Sequence, residues 1–200
     1  MKGPMKGTVR GTMRGAMNAR LRWQAASVLL GYPGEGFAER VRALPPLCRP
    51  LRRFARHAAA QPPMALAAHY VDTFDLRRRC CLYLTYYADG DTRRRGASLA
   101  RLKVLYRSRG WELTGGEPPD FLPVVLEFAA LDPAGGEPVL REHRAGLELL
   151  RAALRACGSP YAWVVDAVCA ALPPMTKRER ERAAELRASG PPAERVGVTP

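Results

Sequence analysis

The sequence has no long hydrophobic run. Its longest stretch without a formal charge is the fifteen residues 57–71, interrupted by Pro62 and Pro63, whereas a membrane-spanning helix needs roughly 20 apolar residues. No transmembrane helix is expected. No apolar block of the secretory type follows Lys2, so the expected location is cytoplasmic. Cysteines are few and odd in number: Cys48, Cys80, Cys81, Cys157 and Cys169 include no C-x-x-C pair. That usage suits free thiols in a reducing compartment rather than a disulfide framework. The three histidines, His57, His69 and His143, fall in no H-E-x-x-H or related spacing, so no local metal site is written into the chain. Gly31, Gly34 and Gly36 lack phosphate-loop spacing, and there is no G-x-S-x-G elbow. A catalytic role is not expected.

Acidic residues are also scarce, 19 against 32 basic, which leaves a net charge of +13. Taken whole, that balance favours acidic partners such as nucleic acid or anionic lipid. Its distribution changes the picture. Residues 1–22 carry +6, residues 23–110 carry +10, residues 111–176 carry −5 and residues 177–200 carry +2. The +13 therefore hides an acidic stretch. An all-helical nucleic-acid-binding regulator, using the basic tail and the arginine runs, is the alternative reading. It would need a compact turn before a polar, base-reading helix. The nearest match, Asp89–Thr92 followed by Arg93-Arg94-Arg95, runs instead into Leu, Val and Tyr.

What is present is helical punctuation. The 200 residues are 47% apolar and 26% charged, the composition of a soluble globular chain. Residues 1–16 repeat with period four (Met-Lys-Gly-Pro, Met-Lys-Gly-Thr, Val-Arg-Gly-Thr, Met-Arg-Gly-Ala); a glycine every fourth residue and little apolar area predict a disordered basic tail over 1–18. A helical domain is expected over 19–175, then a charged helix and a disordered end over 176–200. Within the domain, apolar residues recur three and four apart between Gly and Pro stops. A first helix near 19–30 ends at Gly31-Tyr32-Pro33. Short stripes follow at Phe37/Val41/Leu44 and Leu47/Leu51/Phe54, and Pro62-Pro63 opens a helix through Leu66, Tyr70 and Phe74. Asp75 is expected to cap a helix over 76–87, Asp91 the next one, and Asp120 a buried helix over 121–131. Helices over 138–157 and from Pro160 onward complete an all-α bundle of about eight or nine helices.

Residues 70–91 gather four carboxylates (Asp72, Asp75, Asp89, Asp91) and five aromatics (Tyr70, Phe74, Tyr83, Tyr86, Tyr87). One helical stripe cannot bury all five rings, so some should line a groove. An apolar groove edged with acids suits a basic amphipathic peptide helix.

The strings Tyr70-Val71-Asp72-Thr73-Phe74-Asp75, Leu82-Tyr83-Leu84-Thr85-Tyr86, Gly90-Asp91-Thr92-Arg93-Arg94-Arg95-Gly96 and Pro119-Asp120 with Leu122-Pro123-Val124-Val125-Leu126-Glu127-Phe128 together resemble the NarJ family. These are the molybdenum-cofactor assembly chaperones of respiratory nitrate reductase, more distantly similar to TorD-type redox enzyme maturation chaperones. The resemblance covers about residues 19–172 and includes Leu29-Leu30-Gly31-Tyr32-Pro33. It implies the single-domain all-helical fold of those chaperones and a non-catalytic role. The implied partner is the nitrate reductase catalytic (alpha) subunit, held by its N-terminal segment while molybdenum cofactor is inserted and membrane docking is delayed. No cofactor of its own would be bound permanently, the molybdenum cofactor of the client being handled at most transiently. No metal, nucleic acid or direct membrane insertion is implied, and the state is monomer or weak dimer. Carried onto this chain, the client-peptide residues are Tyr70, Asp72, Phe74, Asp75, Tyr83, Tyr86, Arg94, Glu117, Asp120, Leu122, Val125 and Glu127. The chain departs from the wider family at Phe121, where a His is common, and in its basic net charge.

Overall fold

In the computed structural model, which describes residues 7–45 and 47–190, the chain forms eleven α-helices and no strand among the described residues. The first, α1 (Gly7–Leu30), runs through the centre. Its Trp23, Ala25, Ala26, Leu29 and Leu30 are buried against α7 (Leu122–Leu131) and α10 (Tyr161–Ala171). The expected disordered tail lies outside the described residues over 1–6, but the backbone is already helical at Gly7. Once Trp23 and Leu29 anchor the far end, each added residue extends a helix for one further hydrogen bond, which offsets the glycine penalty.

Around α1 stand α2 (Phe37–Arg42), α3 (Arg49–Ala59) and α4 (Pro63–Tyr70). Their apolar stripes face inward at Phe37, at Leu51 and Phe54, and at Leu66 and Tyr70, as the spacing predicts. α7 has seven of its ten residues buried, matching its nearly uniform apolar surface. On α10, Tyr161, Val164, Val165, Val168 and Cys169 are buried on one side.

Three boundaries differ from expectation. Residues 76–87 do not form one helix. A π-turn (Val71–Asp75) leads through exposed Leu76 into a 3₁₀ turn (Arg78–Cys80), an extended step and only then α5 (Leu84–Asp89). The chain straightens because Leu82 and Leu84 exchange backbone hydrogen bonds with a second segment: the Leu84 amide donates to the Asp120 carbonyl at 3.0 Å and the Leu122 amide to the Leu82 carbonyl at 2.8 Å. These bonds frame an antiparallel bridge, Tyr83 to Phe121. Cys80, Leu82 and Leu84 are buried at alternate positions, as an extended segment requires.

Capping also differs. Asp75 caps nothing there, and the N-cap of α6 (Arg93–Ser108) is Thr92 rather than Asp91, which pairs with Arg78. The long helix expected over 138–157 is two, α8 (Pro133–Glu142) and α9 (Arg144–Ala156), broken at His143. α8 starts five residues earlier than Pro138 because the Asp132 side chain accepts the Gly135 amide, and first-turn amides have no intrahelical acceptor. Arg109 grips the same carboxylate at 2.6 Å and holds its pKa below the ordinary value. α11 (Lys177–Ser189) packs on α9 and begins with a Thr176–Glu179 capping box. No described helix is long and apolar enough to cross a membrane.

Candidate functional site

The π-turn decides which way the acids at residues 70–75 point. The one-residue excess of a π-turn rotates the following side chains relative to an α-helix. Asp72 is left outside, paired with Arg77 at 2.9 Å. Phe74 turns into an aromatic cluster, 4.8 Å from the Tyr70 ring and 4.7 Å from that of Tyr161. Tyr70 packs edge-on to Tyr32 at 5.4 Å, and its hydroxyl donates to the Leu30 carbonyl at 3.3 Å. That carbonyl belongs to the last turn of α1, where helix acceptors lack partners.

These rings form one wall of a cleft of about 260 Å³, lined by Tyr32, Tyr70, Phe74, Asp75, Leu82, Tyr83, Glu117 and Phe121. The facing wall is the bridge, with the Tyr83 and Phe121 rings 5.5 Å apart. Among the described residues that line it, Asp75 and Glu117 are the two that carry charge. Burial first, then the Glu117 carboxylate, raises the Tyr83 phenol above its ordinary pKa; Tyr70 is raised in the same way, with Tyr161, Asp75 and Glu117 adding to burial. Both rings therefore sit within the field of the two acids.

Glu117 also borders a second cleft of about 420 Å³, where Trp111, Leu113, Val124, Phe128 and Leu131 share the lining with Glu112 and Glu127 and no cation contributes. On the other side, Tyr32 borders a third cleft, about 640 Å³, walled by Pro33, Phe37, Met64, Leu66 and Ala67. Tyr32 and Glu117 are thus the shared edges of a track of apolar hollows with acids beside them.

Five of the twelve residues expected at the site, Tyr70, Phe74, Asp75, Tyr83 and Glu117, meet in the first cleft, and Glu127 lines the second. The others lie elsewhere. Asp72 faces outward to Arg77. Tyr86 lines a separate hollow against α9 and α11, and Arg94 is exposed in the first turn of α6. Leu122, Val125 and Asp120 are each 0% exposed, so no client side chain can reach them. Nor does Asp120 cap α7, whose N-cap is Phe121. Its Oδ2 instead accepts the Thr85 amide at 3.1 Å and the Thr85 hydroxyl, capping the first turn of α5 across 35 residues of chain. Arg95 comes within 3.8 Å of that oxygen and lies over the Tyr83 ring at 5.4 Å. Asp120 therefore sets the Tyr83 wall from behind.

Tyr32, Leu82, Phe121 and Glu112 were not among the expected site residues. The sequence signals Leu82 only through the alternation Cys80, Leu82, Leu84, and Phe121 stands at the departure from the wider family. No group of three or more His, Cys, Asp or Glu that could hold a metal ion occurs among the described residues.

The model of the family described as nitrate reductase delta subunit matches residues 40–165. The nitrate reductase-like protein NarX of Mycobacterium tuberculosis H37Rv is 46% identical over 153 residues, covering 74% of this chain and 24% of NarX. The chain thus spans about a quarter of that relative's length. NarJ of Bacillus subtilis 168 is 32% identical over 170 residues, 80% of this chain and 92% of that protein. The nitrate reductase molybdenum cofactor assembly chaperone NarJ of Escherichia coli K12 is 34% identical over 115 residues, 56% of this chain and 48% of that protein. Among solved structures, a redox enzyme maturation protein from Archaeoglobus fulgidus matches with a TM-score of 0.60 at 21% identity, covering 85% of this chain and 94% of that one. The likeness is one of fold.

Proposed function

This chain belongs to the nitrate reductase delta subunit family, and from that membership we propose that it is a non-catalytic assembly chaperone for a nitrate reductase catalytic subunit. It binds that subunit's N-terminal segment, supports insertion of molybdenum cofactor and delays docking to the membrane until the enzyme is complete. The cofactor is cargo, passing to the client and held here at most transiently.

The observation that carries this reading is the cleft at the Tyr83–Phe121 bridge: five aromatic rings, one leucine, two carboxylates and no cation. An amphipathic helix anchors by apolar side chains spaced one turn apart. Here those anchors would enter the hollows on either side of Tyr32, and basic residues on the flank of the same helix would meet Asp75 and Glu117. Charges at the rim of such a site act more on partner choice and association rate than on total affinity. Burial of roughly 400 Å² of apolar surface, at about 25 cal/mol per Å², gives about 10 kcal/mol before association and ordering costs. Micromolar to nanomolar binding follows.

Calorimetry with the N-terminal peptide of the client catalytic subunit tests the proposal. The wild-type chain should bind saturably. An Asp75→Asn, Glu117→Gln double variant should bind about tenfold more weakly, equivalent to about 1.4 kcal/mol, with slower association. A wild-type chain that gives no heat, or a folded double variant of unchanged affinity, would sink the assignment of this cleft.

A further inference from the structure

The positive charge of the fold is not evenly neutralised. Arg77, Arg78, Arg101, Arg109 and Arg155 each pair with a carboxylate. On α3 the opposite holds. Arg49, Arg52, Arg53 and Arg56 recur at offsets 0, 3, 4 and 7, which places them on one helical face, and all four are exposed. None of them makes an ion pair among the described residues. The other face, Leu51, Phe54 and Ala58, is buried in the core, so the arginine face is held rigidly outward.

Local physics argues against this arrangement as a stabilising device. Like charges three and four apart repel. The first turn of α3 contains arginine and no acid, which opposes the helix dipole. Apart from the Arg53 contact with an aromatic ring, nothing within the fold compensates these charges among the described residues, and a feature that breaks local rules in this way is expected at a functional surface.

We propose that the arginine face of α3 is a docking surface for anionic phospholipid. The Arg53 guanidinium lies 3.9 Å over the partly exposed Trp163 ring, and the His57 ring stands edge-on to the same indole at 6.3 Å. An indole beside a cationic face suits the headgroup layer, where amphipathic rings settle, and four or more basic residues on an amphipathic helix are the composition that recognises anionic headgroups. Duplex DNA fits less well, because it accounts for the arginines but not for the partly exposed indole beside them; the inner, apolar face of α3 is packed in the core. Since that apolar face is already used, attachment is peripheral and electrostatic, and salt reverses it.

Co-sedimentation of the full chain with phosphatidylglycerol-containing vesicles tests this against pure phosphatidylcholine vesicles and a short duplex DNA. Each basic residue near an anionic surface adds roughly fivefold in partitioning. A variant with R49Q, R52Q, R53Q and R56Q should therefore lose at least tenfold in binding to the anionic vesicles and keep its client-peptide affinity. A chain with K2Q, K6Q, R10Q and R14Q should retain the part that depends on α3. Glutamine is a good helix former and relieves the repulsion, and the pair R52Q, R56Q gives a milder variant should the quadruple one melt early. The proposal falls if wild type binds both vesicle types alike or neither, if the α3 variants bind like wild type, or if the α3-dependent partner is DNA.

Discussion

Gly136→Ala is expected to be among the most damaging single substitutions in this fold, lowering stability by at least about 3 kcal/mol. A Cβ at Gly136 would stand 2.3 Å from the Ala129 Cα and 2.6 Å from the Ala129 nitrogen. Both obstacles are backbone, so no rotamer relieves the clash and α8 must move away from α7. α7 is wedged against α1 on its other side, which leaves little room for the shift. Since a domain of this kind is held by only about 5–15 kcal/mol, urea midpoints should fall sharply. Gly96 serves as the control: an added Cβ meets nothing within 4 Å, and alanine inside α6 should be neutral or stabilising by up to about 1 kcal/mol. Equal midpoints for the two variants would refute the packing argument.

Asp120→Ala carries the second large effect, about 2–4 kcal/mol of stability. It removes the acceptor of the buried Thr85 amide and hydroxyl and the nearest carboxylate to Arg95. Asp120→Asn should be milder, because an amide oxygen still accepts from Thr85, yet it leaves Arg95 without its counter-charge. Both variants should weaken client-peptide binding through the Tyr83 wall even though Asp120 touches no solvent. A double-mutant cycle of Asp120→Asn with Tyr83→Phe separates this indirect route from general destabilisation. Coupling above about 0.5 kcal/mol in peptide affinity supports it, and additivity refutes it.

What could be read from the sequence follows the range of the interactions that fix each element. Gly31-Tyr32-Pro33 and Pro62-Pro63 end and open helices through their own backbone restrictions, and the structure stops α1 at Leu30 and starts α4 at Pro63. The apolar periods of α7 and α10 likewise specify their own burial. Residues 76–87 carry a helical pattern but do not form one helix, because the partner that straightens them, residues 120–122, lies about 40 positions away. The alternation of Cys80, Leu82 and Leu84 was the available local signal, and three aromatic residues nearby masked it. Asp120 shows the same limit. As a cap it is a local motif, yet its carboxylate turned back to Thr85 rather than forward to α7. Of the acids expected to meet a client, Asp75 and Glu117 share one cleft only because the π-turn and the Pro118–Asp120 approach bring them there.

The Tyr83–Phe121 bridge has a consequence for how the client's arrival would be sensed. Two backbone hydrogen bonds, at the Leu84 and Leu122 amides, close one side of the cleft, while the rest of the bundle is held by interlocked helices. Opening that side breaks those two bonds together with the Thr85–Asp120 bonds and draws Leu82 and Leu84 away from the core, so it is a sub-global opening of one segment rather than unfolding of the whole bundle. A peptide wedged beside Tyr83 would suppress it. Hydrogen exchange at those two amides should slow when the client binds, while amides in the middle of α7 and α10 keep the rate set by global unfolding. A single rung of sheet among the described helices would then report occupancy.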